Sequence, residues 1–367
     1  MIRKATFDVC IRSSFAYNGG VMNDINQKII EAVIAKAEKI CPDSLALIGV
    51  YGSVATGDDY EKSDLDLLIL IQDDEGWKLG TGFILDDSKI GYDIYCTNWD
   101  GLRFDAECYH AHLSKLMDSQ ILYIKNEEAY KELCRLREQT ETFLSSEERF
   151  KRVDNLIEKA KISFANACLK EEIGQVRVNA CEIILSLLDA IMIYHGTYFK
   201  RGIKRTFDEL AQFSLDETFL ENIRKISQSK EISELRFLAK ELILYVENYV
   251  VRVKQKIEPT KDSISGTYEE MHSNWRNKVE EAAVNNDTYA SFVNMCCLQD
   301  MIMELEKELQ IDSHNLMEAY NPDCLEENVK IFDRFLEEYE KVYQKAGMKV
   351  ARYSDAEEFY NDYVENR

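Results

Sequence analysis

The stretch from Leu45 to Leu70 constrains this chain more than any other part of it. An apolar run from Leu45 to Tyr51 ends at Gly52-Ser53; after a short polar loop, Asp64 and Asp66 alternate with leucines in a second apolar run that ends at Leu70. The pattern predicts two strands joined through a turn of a size to hold phosphate. Side chains two apart on a strand share a face, so Asp64 and Asp66 are expected to project together while Leu65, Leu67 and Ile69 pack inward.

Two carboxylates held that close repel one another, and burying either without a partner is costly. A divalent cation removes the conflict. Hard oxygen ligands suit Mg²⁺, which takes one or two protein carboxylates and completes its shell with water and substrate phosphates. Upstream, Gly52 permits close backbone approach, Ser53 offers a hydroxyl and an amide, and Val54-Ala55-Thr56 can open a helix whose N-terminus attracts phosphate. Together these make a cradle for a nucleoside triphosphate and its metal.

Gly52-Ser53, ten intervening residues and Asp64-Leu65-Asp66 resemble the signature of the nucleotidyltransferase superfamily with the DNA polymerase β type of palm. That pattern asks for a third carboxylate on a later strand, and Lys89 to Cys96 supplies Asp93 in an apolar, β-prone setting. The resemblance implies that Asp64 and Asp66 hold two Mg²⁺ ions and that Asp93 completes the site of the ion activating the acceptor hydroxyl. It further implies that Gly52 and Ser53 hold the β and γ phosphates of the triphosphate, ATP foremost.

The balance of 45 basic against 67 acidic side chains gives a formal charge of -22. Such a field repels polyanions and disfavours nucleic acid as the main partner; a small or cationic acceptor fits better. Ten cysteines occur without a CxxC pair or a zinc-ligand spacing and read as reduced thiols. The start MIRKATFDVC lacks a long apolar core and no window approaches eighteen uninterrupted apolar residues. The expectation is therefore a soluble, cytoplasmic protein with no membrane partner, and a homodimer is left open. With only three prolines and long periodic segments, helix should dominate.

In chain order, Thr6 to Phe15 reads as a short strand and Asn23 to Lys39 as a helix closed by Cys41-Pro42. Gly82 to Leu85 and Ile90 to Tyr95 read as a hairpin carrying Asp93. Trp99 to Met117 reads as a mixed helical stretch in which His110 and His112, two apart, diverge. A strand from Ile121 to Ile124 and a helix from Glu127 to about Glu138 end the expected catalytic domain, residues 1–145.

Beyond it the pattern is helical: Arg149 to Lys170, Val176 to Tyr194, Phe207 to Phe213, Glu217 to Ser227 and Glu231 to Lys256. This part, residues 146–262, resembles the helical substrate-binding domain of nucleotidyltransferases acting on aminoglycoside or lincosamide antibiotics. There the helices wall the cleft and lend a carboxylate as general base, for which Glu182 is the candidate. Its other reading is a side chain that simply faces solvent. Lys200, Arg201, Lys204 and Arg205 form the densest basic cluster. Lys204 and Arg205 are candidates to clamp the triphosphate, or the cluster partners a helix end and nearby acids.

The remaining residues, 263–367, read as helices from Tyr268 to Val284, Thr288 to Leu309, Leu325 to Ala346 and Ser354 to Val364. The run from Tyr268 to Lys278 has a pocket-lining and a packed-helix reading. Gly52 to Gly57 lacks the lysine of a Walker A loop, and HExxH and nucleophile-elbow patterns do not occur.

The combined expectation is an α+β chain, a mixed-sheet nucleotidyltransferase palm followed by all-α helical domains. It would move a nucleoside monophosphate from a nucleoside triphosphate to a hydroxyl of a small molecule and release pyrophosphate. The other readings are an AMP-transferring antitoxin or regulator acting on a protein, and a catalytically silent nucleotide sensor.

Overall fold

A computed structural model describes residues 16–17, 20–21, 23–251 and 256–365. The expected strand from Thr6 to Phe15 lies outside the described residues. The fold is α+β, dominated by helix with a small mixed sheet. The chain divides into two compact units at residues 251 and 252.

The first unit opens with a minimal antiparallel pair, β1 (Ala16–Tyr17) and β2 (Gly20–Val21). Helix α1 (Asp24–Ile40) follows, its N-terminus capped by the Asn23 side chain, which accepts from the Asn26 N–H at 2.8 Å. The central strand β3 (Leu45–Val50) leads through the short helix α2 (Gly52–Thr56) to β4 (Leu67–Ile71). After a 3₁₀ segment, β5 (Thr81–Leu85) and β6 (Ile90–Ile94) form the expected hairpin, and the chain continues into β7 (Cys96–Thr97). Helices α3 (Trp99–Ala106) and α4 (Ser114–Met117) precede β8 (Gln120–Ile124) and α5 (Glu127–Ser145).

The four-stranded sheet has the order β7-β4-β3-β8. β3 runs antiparallel to both neighbours, with Val50 opposite Leu67 and Gln120, while β4 and β7 are parallel, with Ile69 opposite Cys96. Alternation along the strands divides two apolar layers. Ile48, Val50, Leu67, Ile69 and Ile71 pack with Ile29, Ile30 and Val33 of α1 and with the hairpin. Leu47, Leu68 and Leu70 pack with Leu102, Leu116, Leu133 and Leu136 of α3 to α5. A strand buried on both faces reads as an unbroken apolar run, which is what Leu45 to Val50 is.

Two elements differ from expectation here. Asp64 and Asp66 precede β4 instead of lying within it. The ladder stops at Val50 opposite Leu67 because the chain turns away at Gly52, leaving one further bond from the Tyr51 N–H to the Asp66 carbonyl at 3.1 Å. Helix α3 ends at Ala106, so His110 and His112 sit on an irregular segment and not on a helix.

A helical layer completes the unit: α6 (Arg149–Cys168), α7 (Ile173–Tyr194), α8 (Thr206–Leu210), α9 (Glu217–Gln228) and α10 (Ile232–Tyr249). Their core includes Val153, Leu187, Ile191, Phe219 and Leu242, and it takes in Cys108, Ala111 and Leu113 of the irregular segment. The last helix stops at Tyr249, short of the expected Lys256.

The second unit is helical: α11 (Lys261–Ile264), α12 (Thr267–Met271), α13 (Asn277–Val284), α14 (Thr288–Glu308), α15 (Leu325–Lys345) and α16 (Ala356–Glu365). A π-helical turn, His272–Arg276, joins α12 to α13. The core gathers Met271, Val279, Met295, Phe332, Phe335 and Tyr343. Tyr268, Glu269, His272, Ser273 and Asn277 line a recess of about 270 Å³, whereas Arg276 forms a two-pronged ion pair with Asp333 at 2.8 and 2.9 Å. Among the described residues the cysteines are free thiols, and no helix is long and apolar enough to cross a membrane.

Candidate functional site

The turn after β3 fixes the geometry. Gly52 has φ +67°, in the left-handed region, and a Cβ built there would run into the carboxylate of Asp66. Only glycine meets both demands. The Ser53 backbone amide also favours the charged form of the same carboxylate.

Between the aspartates, Leu65 is 2% exposed and locked into the core, which turns Asp64 and Asp66 to the opposite side. Asp64 is exposed and Asp66 half-buried. Burial first, and the charge of Asp64 second, raise the Asp66 carboxyl to about 6, against the lowering effect of the Ser53 amide. Burial pushes up the neighbouring Tyr51 hydroxyl as well, aided by the charges of Asp66, Asp105 and Asp64. Tyr51 is thus a neutral donor beside a concentration of negative charge.

Asp93 lies on the exposed face of β6, between buried Tyr92 and Ile94. It stands three residues before Cys96, as Asp66 stands three before Ile69, and that pair is in parallel register. Asp93 itself is on β6, which pairs with β5 in a separate two-stranded sheet, and Asp66 precedes β4, so the ladder does not extend to either aspartate. Among the described residues, however, no group of three or more His, Cys, Asp or Glu side chains is arranged to hold a metal. The structure brings Asp64 and Asp66 together and does not close Asp93 onto them. The pair suits one hard divalent cation, since mutual repulsion and the raised Asp66 carboxyl mark an uncompensated negative site. The three-carboxylate set needed for two ions is not formed.

Asp66 opens into a cleft of about 410 Å³ shared with Gly52, Ser53, Tyr60, His112, Phe199 and Lys204. Its far wall belongs to the loop ahead of α8, where the basic cluster sits. Most of that cluster is engaged by Asp58, a residue that the sequence reading left out. Asp58 is 8% exposed, receives both prongs of the Arg201 guanidinium, and is approached by Arg205 at 3.1 Å; Lys204 donates to its backbone carbonyl. The Arg201 hydrogen bonds hold the Asp58 carboxyl at about 2. Arg205 also pairs with Asp208 at 3.1 Å. Of the two expected clamps, Lys204 lines the cleft and Arg205 does not; Arg201 does.

Glu182 does not meet its expected setting. On α7 it is exposed, accepts from the Ser163 hydroxyl at 3.2 Å and is not among the residues lining the cleft. The buried carboxylate of that helix is Asp189, 7% exposed, two turns further on. Its Oδ1 accepts from the Ala111 N–H at 3.0 Å and faces His112 Nε2 at 3.8 Å. His112 stacks on Phe199 with ring centroids 5.0 Å apart. Periodicity could not reveal this pair, because His112 lies on an irregular segment and Asp189 lies 77 positions away within an apolar run.

Comparison with known proteins gives no matching family model and no matching curated protein.

Proposed function

We propose that the cleft transfers a nucleoside monophosphate from a nucleoside triphosphate, ATP foremost, to an acceptor hydroxyl with release of pyrophosphate. The observation that supports this reading is the contact between the Gly52-Ser53 turn and the Asp66 carboxylate, in a cleft that holds cationic side chains on its opposite wall. Triphosphate recognition needs that combination: a close-approach backbone turn, a carboxylate site for a cation and positive charge facing the phosphates.

In this reading Asp64 and Asp66 hold a Mg²⁺ ion, and Asp93 is the further carboxylate that the sequence pattern assigns to complement them. Mg²⁺ bound there would neutralise phosphate charge and lower the pKa of the attacking oxygen. Lys204 and Arg201 orient the phosphates from the opposite wall, with Asp58 holding the guanidinium in place until substrate arrives. Tyr60, exposed and with Lys204 Nζ 5.9 Å from its ring centre, offers flat apolar surface for a base or an acceptor.

ATP labelled at the α-phosphate tests the proposal. With Mg²⁺ and a panel of aminoglycosides, lincosamides and host lysate, label is expected to move to an acceptor in wild type and to stay on nucleotide in Asp64→Asn. Label on a polypeptide band would assign the acceptor to the protein class. Label that never leaves the nucleotide, with wild type and variant alike, would overturn the transfer reading.

A further inference from the structure

Transfer to a hydroxyl requires a group that removes its proton, and Glu182 does not line the cleft. We infer that His112, held against the buried carboxylate of Asp189, takes the proton from the attacking hydroxyl. The inference rests on the transfer reading above and adds to it the identity of the base.

His112 shares the cleft with Asp66 and Ser53, and its side chain is 45% exposed, accessible to an incoming molecule. Three contacts fix its place. The Ala111 N–H donates to Asp189, the Phe199 N–H donates to the Ala111 carbonyl at 2.8 Å, and the imidazole lies nearly parallel to the Phe199 ring at 20°. Phe199 is itself 3% exposed, so the stacking platform is rigid. With Nε2 turned toward Asp189, Nδ1 is the nitrogen that can accept a proton, and a carboxylate behind Nε2 stabilises the imidazolium that results. At 3.8 Å the two groups are within ion-pair range and beyond hydrogen-bond reach, and catalytic hydrogen bonds are often long before substrate binds.

Other charged groups bear on the pair. The His112 backbone N–H donates to His110 Nδ1 at 3.2 Å, and His110 and Lys115 both face Asp105. Burial raises the Asp189 carboxyl, opposed by His112, the Ala111 amide, His110 and Lys159. A buried carboxylate beside a histidine can serve packing alone, by tying the irregular segment to α7. The chemistry goes further. As the acceptor oxygen bonds to the α-phosphorus, the α–β bridging bond breaks and pyrophosphate leaves with its electron pair. The acceptor O–H bond breaks and its proton passes to Nδ1 of His112.

The test uses the full chain, Mg²⁺ and α-labelled ATP with the panel above and water as acceptors. His112→Ala is expected to bind Mg·ATP as wild type does and to lose transfer by about 10²–10⁴-fold. Added imidazole should restore part of it, which a purely structural role would not allow. Asp189→Asn should lower kcat by about a hundredfold or less and leave KM unchanged, because it removes the support behind the ring and not a side chain lining the cleft. Should His112→Ala be poorly folded, His112→Gln keeps the shape and is expected to show the same loss.

Full activity in a folded His112 variant, with Asp66→Asn inactive, would overturn the inference and leave the transfer reading standing. A loss in Glu182→Gln instead would move the base to Glu182. Wild type inactive on every acceptor would overturn both.

Discussion

Gly52 and the Asp66 carboxylate compete for one space: the position a Cβ would take at residue 52 is filled by the aspartate. The turn and the acid are therefore a single device, joined across the β3–β4 connection and braced from behind by buried Leu65. Gly52→Ala should disrupt both. The left-handed backbone alone costs about 1–2 kcal/mol with a Cβ present, and displacement of Asp66 should abolish Mg·ATP binding. Chemical denaturation and calorimetric titration of this variant check the two effects separately.

Asp64→Asn should behave differently. Asp64 is exposed and its charge raises the Asp66 carboxyl, so removing that charge relieves repulsion in the metal-free protein. The expected result is a thermal midpoint at or above that of wild type at neutral pH without Mg²⁺, together with lost stabilisation by Mg²⁺. A midpoint well below wild type without metal would contradict the repulsion.

The clamp at Asp58 sets an acid limb. Its folded carboxyl is at about 2, below its ordinary value of 3.8, so its contribution is present above about pH 4 and is lost as pH falls through 2. The difference in thermal midpoint between wild type and Asp58→Asn should be constant above pH 4 and shrink between pH 4 and 2. A difference that persists unchanged at pH 2 would show that the Arg201 contact does not hold the charge.

In the second unit, the Tyr343 hydroxyl accepts from the Tyr268 N–H at 2.8 Å and donates to Glu269 at 3.2 Å. Tyr343 is fully buried. Tyr343→Phe leaves that N–H unpaired, and an unsatisfied buried donor costs about 1–3 kcal/mol. Equilibrium denaturation should show a loss of this size.

Much of this architecture is legible in the residues. The unbroken apolar run of β3, the hairpin around Asp86 to Lys89 and the long periodic helices each carry a local signal, and each forms within a few residues of its expected bounds. Gly52-Ser53 and Asp64-Leu65-Asp66 stand out because charge and glycine interrupt runs built for burial. What stayed hidden depends on contacts far apart in the chain. Asp58 gives no signal in the sequence, because a loop aspartate looks the same whether solvated or gripped by Arg201, 143 positions away. The helical spacing expected around His112 is one the chain does not adopt, since Cys108, at φ +54°, breaks from helical backbone just after α3. Glu182 drew attention as a carboxylate on an apolar helix, but α7 buries Asp189 and turns Glu182 outward.

Pyrophosphate release from Mg·ATP tests the central claim most directly, measured for wild type and Asp66→Asn over the same acceptor panel. Wild type is expected to show acceptor-dependent release, and a folded Asp66→Asn protein a rate at least a hundredfold lower, because the carboxylate proposed to hold the cation beside the Gly52 turn is gone. Equal rates in the two proteins, or tight Mg·ATP binding with no release by either, would contradict it.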